Sequence, residues 1–191
     1  MKKYIFLLAI IVISSCNNSK NEELKNTVTK KELRPFFDCD EIDHYYLDFS
    51  PRDFTNHIHI EKPNDDQKEF SSLFTGHFPD SIPKENFEKI LLRHKYKKSD
   101  LSIKQEKKIE NIFSEKDSLK NDACACIAEY KDIFIFKKNT KTVGIAKICF
   151  KNARFQIIGS KIDTEGFGLT DELDKLEKIV KPESYSILVT D

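Results

Sequence analysis

Between Asp132 and Ile158 three apolar, β-branched and aromatic runs are separated by two short polar breaks. Asp132-Ile133-Phe134-Ile135-Phe136 leads through Lys137–Lys141 into Thr142–Phe150, and Lys151-Asn152-Ala153 leads into Arg154-Phe155-Gln156-Ile157-Ile158. Asn139-Thr140 sits where a hairpin turn belongs, because Asn tolerates the positive φ that tight turns require. The pattern predicts a three-stranded antiparallel meander over residues 132–159. Ile135, Phe136 and their neighbours are apolar at consecutive positions, which predicts a sheet apolar on both faces at its centre. Phe134, Phe136, Phe150, Phe155 and Phe167 read as core rather than as a ligand cage.

Other elements can be placed around this meander. His44–Phe49 has strand-forming content and ends at Ser50-Pro51. Asn56-His57-Ile58-His59-Ile60-Glu61 alternates and predicts a second strand, with His57, His59 and Glu61 on one face. Ser81-Ile82-Pro83 is expected to open a helix buried through Phe87, Ile90 and Leu91, with Pro83 in its first turn. Ser102-Ile103-Lys104-Gln105 fits a capping box ahead of Ile109, Ile112 and Phe113, with Leu119 at the far end. Thr170-Asp171-Glu172 starts a last helix that buries Leu173, Leu176, Ile179 and Val180 and stops at Pro182. Tyr185–Val189 is predicted to be a closing strand. The expected class is α+β: one domain over 36–191, with an antiparallel sheet and helices on one of its faces.

At the N-terminus, Met1-Lys2-Lys3 precedes ten apolar residues, Tyr4–Ile13, followed by Ser14-Ser15-Cys16. That run has the length of a signal-peptide core and is too short to span a bilayer as a helix. Ile13-Ser14-Ser15-Cys16 resembles the lipobox of bacterial lipoproteins, with Ile13 where the family often has Leu. The resemblance implies that residues 1–15 form a signal peptide, that Cys16 carries a diacylglyceryl group, and that cleavage falls just before Cys16. It implies two or three acyl chains, enough for stable anchoring, where one chain holds only marginally. Asn17, in place of the Asp that retains enteric lipoproteins at the inner membrane, implies the outer membrane, on its periplasmic face or at the cell surface. Lys20-Asn21-Glu22-Glu23 resembles the charged stretch that carries some Bacteroidota lipoproteins to the surface. Residues 16–35 then read as the lipidated cysteine and a polar tether.

Without residues 1–15 the chain has 30 Lys+Arg, after loss of Lys2 and Lys3, against 32 Asp+Glu, a net charge of −2. With no basic excess, nucleic acid is not an expected partner. Five glycines and the absence of GxGxxG, P-loop, GxSxG and HExxH patterns leave no phosphate-cradling or hydrolase motif to build on. No cofactor is expected.

With Cys16 lipidated, Cys39, Cys124, Cys126 and Cys149 remain, an even number in a disulfide-permissive compartment. A bridge between Cys124 and Cys126 is disfavoured by geometry. The expectation is therefore that Cys149 pairs with one of Cys124 and Cys126, and Cys39 with the other. Closing a loop of about 25 residues contributes about 3 kcal/mol in the chain-entropy model. One disulfide with two free buried thiols is the first alternative; zinc on four thiolates and a dithiol exchange site are the others, both short of the usual CxxC spacing. His57, His59 and Glu61 on one strand face form a candidate metal site of two imidazoles and a carboxylate. Asp38, Asp40, Glu41 and Asp43 read as a solvated acidic loop, because an EF-hand pattern fails at Asp43 and Phe49.

Cys124–Val180 also resembles some uncharacterised small Bacteroidota proteins, through the cysteine before a strand, the strand ending Ile148-Cys149-Phe150, and the glycine-flanked Phe167 before a C-terminal helix. That group implies no activity. The sequence therefore leads to a lipid-anchored envelope lipoprotein, held to the membrane through Cys16, whose domain binds a protein or another envelope component. The alternatives are a metal-binding or hydrolytic enzyme using His57, His59 and Glu61, and an immunity- or inhibitor-type lipoprotein.

Overall fold

The computed structural model describes residues 33–58, 61–84, 86–116 and 126–181. They form an α+β domain in the order β1 (Glu41–Tyr46), α1 (Pro51–Ile58), α2 (Asp65–Phe74), α3 (Phe87–Arg93), β2 (Lys97–Ser99), α4 (Ile103–Ile112), β3 (Asp132–Lys138), β4 (Lys141–Cys149), β5 (Arg154–Ile158) and α5 (Glu172–Val180). The strands make one open antiparallel sheet, ordered β2-β1-β3-β4-β5. The meander over 132–159 is present as β3, β4 and β5. Asn139 and Thr140 turn its first hairpin with φ of 49° and 63°.

The helices lie on both faces of the sheet, and this corrects the one-face expectation. The reason is visible in β3, where Ile133, Phe134, Ile135 and Phe136 are all buried. Successive side chains of a strand point to opposite faces. Ile133 and Ile135 pack with Ile145, Ile158, Leu73 and Phe74 of α2, and Phe87, Ile90 and Leu91 of α3. Phe134 and Phe136 pack with Ala146, Ile148, Ile109 and Ile112 of α4, and Leu173 and Leu176 of α5. A sheet apolar on both sides needs a cover on both sides.

Gly144 lies opposite Phe136 in the β3–β4 register. The Phe37 ring crosses directly above it, tilted by 31° against Phe136 at 4.4 Å, so a Cβ at Gly144 would fall 2.3 Å from that ring. Phe167, flanked by two glycines, is fully buried against Phe36, Phe113 and Phe155.

Two local expectations change. Asn56–Ile58 belongs to α1, not to a strand. Ser50 caps that helix: its hydroxyl accepts from the Asp53 amide at 3.2 Å, while the Asp53 carboxylate accepts from the Ser50 amide at 3.0 Å. With Pro51 at the first helical position, this start signal outweighs a short alternating run. The helix expected at Ser81–Pro83 begins only at Phe87, where the Asn86 side chain accepts from the Lys89 amide. The Ser102–Gln105 capping box forms as expected. Tyr185–Val189 and Leu119 lie outside the described residues.

Candidate binding cleft

The roomiest of the concavities described, about 600 Å³, opens where the chain leaves β1 and α3 turns into β2. Phe49 and Phe70 form its apolar wall, in edge contact at 5.4 Å and both against Phe74. Asp48, Asp53 and Asn56 line it from the β1–α1 segment, and Arg93, Lys95 and Lys97 line it from the α3–β2 segment. Each part is placed by the fold. Lys131 donates to the Phe49 carbonyl at 2.6 Å and pins the segment after β1. α3 ends in a Schellman-type turn, with the Tyr96 amide on the Leu91 carbonyl and the Lys95 amide on Leu92. That turn puts Lys95 at φ 64°, the position glycine usually takes. His94 and Arg93 both reach Glu69, His94 at 2.6 Å. Burial works to raise the Glu69 carboxyl, but those two hydrogen bonds hold it below its ordinary value. Hydrogen bonds from Ser50 likewise keep the Asp53 carboxyl low, so it stands charged at the cleft. The cleft therefore offers an aromatic wall together with acidic and basic side chains from two chain segments. That chemistry suits a ligand with an apolar body and polar groups of both signs.

On the same face of the sheet lies a clamp around Lys147. This lysine is fully buried in β4, facing the α2–α3 side like its register partner Ile133. Its ammonium donates to the carbonyls of Gly76 and Phe78, each at 2.8 Å, and sits 4.3 Å from the Tyr130 ring. Gln156, its partner on β5, donates to the carbonyls of His77 and Pro79. Four successive carbonyls after α2 are thus held by one cross-strand pair. Burial pushes the Lys147 amine down to about 7.

On the other face a polar relay joins four elements. The Ser99 hydroxyl meets His44 Nδ1 at 2.7 Å, His44 Nε2 meets Asp132 at 3.1 Å, and Lys181 donates to Asp132 at 2.8 Å. His44 and Asp132 side chains are each only 2% exposed, and the His44 ring is stacked on Phe134. The relay links β2, β1, β3 and the end of α5, and its burial fits a structural tie.

The residues singled out in the sequence are dispersed. His57 falls in α1, so the strand face that was to align it with His59 and Glu61 does not exist there. His59 lies outside the described residues, and Glu61 is exposed. Among the described residues no three His, Cys, Asp or Glu side chains group to hold a metal. The acidic loop is ion-paired rather than free: Asp38 meets Lys138 at 3.0 Å, and the buried Asp43 meets Lys137 and Lys98 at 2.5 and 2.6 Å.

Cys39 and Cys149 are free thiols, which corrects the expected pairings. Cys126 is disulfide-bonded, to a cysteine outside the described residues. Geometry excludes Cys39 as a partner. It precedes β1 at the Lys137 end of β3, where the Asp40 amide bonds the Lys137 carbonyl. Cys126 leads toward the Asp132 end, where Asn152 holds the Ile127 carbonyl. Five residue steps along β3 separate these ends by about 17 Å, against a Cα separation of at most about 7 Å for a disulfide. Cys149 packs with Ala128 and Tyr130. Burial, with Glu110 and the flanking acids, pushes the Cys39 thiol up to about 11, so it stays protonated at neutral pH. Cys16 and Cys124 lie outside the described residues.

Compared with known proteins, the chain matches no family model, no curated protein and no solved structure.

Proposed function

We propose that this chain is a lipid-anchored envelope lipoprotein, acylated at Cys16, whose α+β domain binds an envelope component in the cleft between Phe49, Phe70 and Lys97. The anchor rests on Ile13-Ser14-Ser15-Cys16 and the apolar run before it. The observation that carries the binding role is the cleft itself: a cavity of about 600 Å³ lined by Phe49 and Phe70 and by side chains of both charges. Such a wall contributes affinity, and the charged side chains orient what it holds. Among the described residues no helix is long and apolar enough to cross a membrane.

Two measurements test the two halves. Cys16→Ser shifts the protein from the membrane to the soluble fraction; a variant that stays in the membrane contradicts the anchor. Reversing charge at the exposed Asp48 and Lys97, with thermal unfolding as fold control, abolishes retention of envelope-extract components by immobilised protein. Equal retention by variant and wild type contradicts the cleft.

A further inference from the structure

β5 closes one side of the sheet order, with β4 as its neighbour. Which of its backbone groups face outward follows from the ladder. The Leu47 amide on the Lys131 carbonyl continues the β1–β3 register, so Tyr45 with Ile133 and Asp43 with Ile135 are hydrogen-bonded pairs. Such pairs alternate with unbonded ones along an antiparallel ladder. Phe134 and Phe136 therefore bond Ala146 and Gly144 of β4, and Lys147 and Ile145 bond Gln156 and Ile158 of β5. This leaves the amides and carbonyls of Phe155 and Ile157 pointing away from β4. Among the described residues they have no backbone partner. The side chains of the same two residues lie on the α4–α5 side and are only partly buried against its core. An unpaired backbone and an incompletely covered apolar flank thus coincide along β5.

A free edge invites a further strand unless charge or proline blunts it. The opposite edge is blunted: β2 reads Lys97-Lys98-Ser99, and the same ladder turns the Lys98 backbone outward. β5 has neither charge nor proline from Phe155 to Ile158. What suits this edge is another β5. A two-fold axis at Gln156 sets Phe155 of one chain opposite Ile157 of the second copy, and Ile157 opposite its Phe155. Each outward amide then finds an outward carbonyl, and each cross-strand pair joins an aromatic to a β-branched residue, a favourable combination. At the axis one Gln156 faces the other, both neutral. The same operation at β2 sets Lys98 against Lys98 of the second copy, a like-charge pair that is destabilising. Charge therefore singles out β5 as the edge that pairs with itself.

We infer that two copies of this chain associate through β5, antiparallel and two-fold, so that their two five-stranded sheets become one continuous sheet. The contact is isologous: the same residues serve on both sides, and the rotation closes after two copies. Pairing satisfies the outward groups of Phe155 and Ile157 and lays each Phe155 against the other chain's Ile157. The partly buried flank of the α4–α5 core is covered in the same step.

The test follows the full chain in detergent by sedimentation and by backbone hydrogen exchange over a concentration series. The expected result is a monomer–dimer equilibrium in which the Phe155 and Ile157 amides slow with concentration. The slowing reaches about tenfold once about nine chains in ten are paired, because only the unpaired fraction exchanges. The Lys98 amide keeps one rate throughout. Ile157→Pro removes one outward amide and leaves the β4 ladder its bonds. It is expected to sediment as a monomer with the Gln156 and Ile158 amides still protected. The wild-type series decides the matter by itself if that variant does not fold. A chain that stays monomeric at every concentration overturns the inference, as does a dimer whose Phe155 and Ile157 amides exchange at the monomer rate. Slowing at Lys98 in their place puts the contact at β2 and overturns it as well. Slowing that appears only when envelope extract is added gives the edge to a different protein and overturns the second copy.

Discussion

Replacing Lys147 by Met removes one buried amine and, with it, a pH dependence that can be calculated. In the folded domain the amine titrates near 7; in the unfolded chain it titrates at the ordinary 10.5. Between those values the unfolded chain binds a proton that the folded domain does not. Stability therefore rises with pH through this window, with full effect above the unfolded value and loss as pH falls toward 7. One proton contributes about 1.4 kcal/mol per pH unit, and allowing for half-titration at pH 7, the gain from pH 7 to 9 is about 2 kcal/mol. The neutral amine still has two N–H groups for the Gly76 and Phe78 carbonyls, so the clamp survives deprotonation. In Lys147→Met those carbonyls lose their donor, a cost that does not vary with pH. Urea unfolding of both proteins at pH 7, 8 and 9 isolates the lysine, because contributions of all other groups cancel in the difference. The wild-type advantage over the Met variant should grow by about 2 kcal/mol across this range. A difference that stays flat, or shrinks, refutes the reading of Lys147 as a desolvated, unpaired cation.

Thr140→Gly should raise stability by about 1 kcal/mol in denaturant unfolding, because a β-branched residue holds φ 63° in the β3–β4 turn. Gly144→Ala should cost about 2–3 kcal/mol by the same assay, since its Cβ would drive into the Phe37 ring. Phe167→Ala should cost about 3–5 kcal/mol, having emptied the place between Phe36, Phe113 and Phe155. Thiol titration of the denatured, unreduced protein should find Cys39 and Cys149 reactive; absence of both would restore the bridges expected from the cysteine count.

The sheet was legible where hydrophobic pattern and turn chemistry agree. Asp132–Ile158 shows its three strands, and Ser102 with Gln105 shows the start of α4. The same stretch also carried the reason for two helical layers, four consecutive buried apolar residues at Ile133–Phe136, which call for cover on both faces. His57-Ile58-His59-Ile60 misled, because the alternation of a few residues is a smaller local preference than the Ser50–Asp53 capping box and Pro51 upstream. The cysteine count misled because pairing depends on which ends of β3 the chain visits, and only the structure shows that Cys39 and Cys126 lie toward opposite ends of it. The cleft was not legible: Asp48, Asp53, Arg93 and Lys97 are ordinary surface residues until β1, α1 and α3 converge. Lys147 did leave a trace, a lone charge inside Val143–Phe150, where every other long side chain is apolar.

The most direct test of the lipoprotein account is the mass of the N-terminal peptide of protein extracted from membranes. The account predicts a chain that begins at Cys16, lacks residues 1–15 and carries diacylglyceryl mass on the thiol. A chain beginning at Met1, or a free thiol at Cys16, contradicts it.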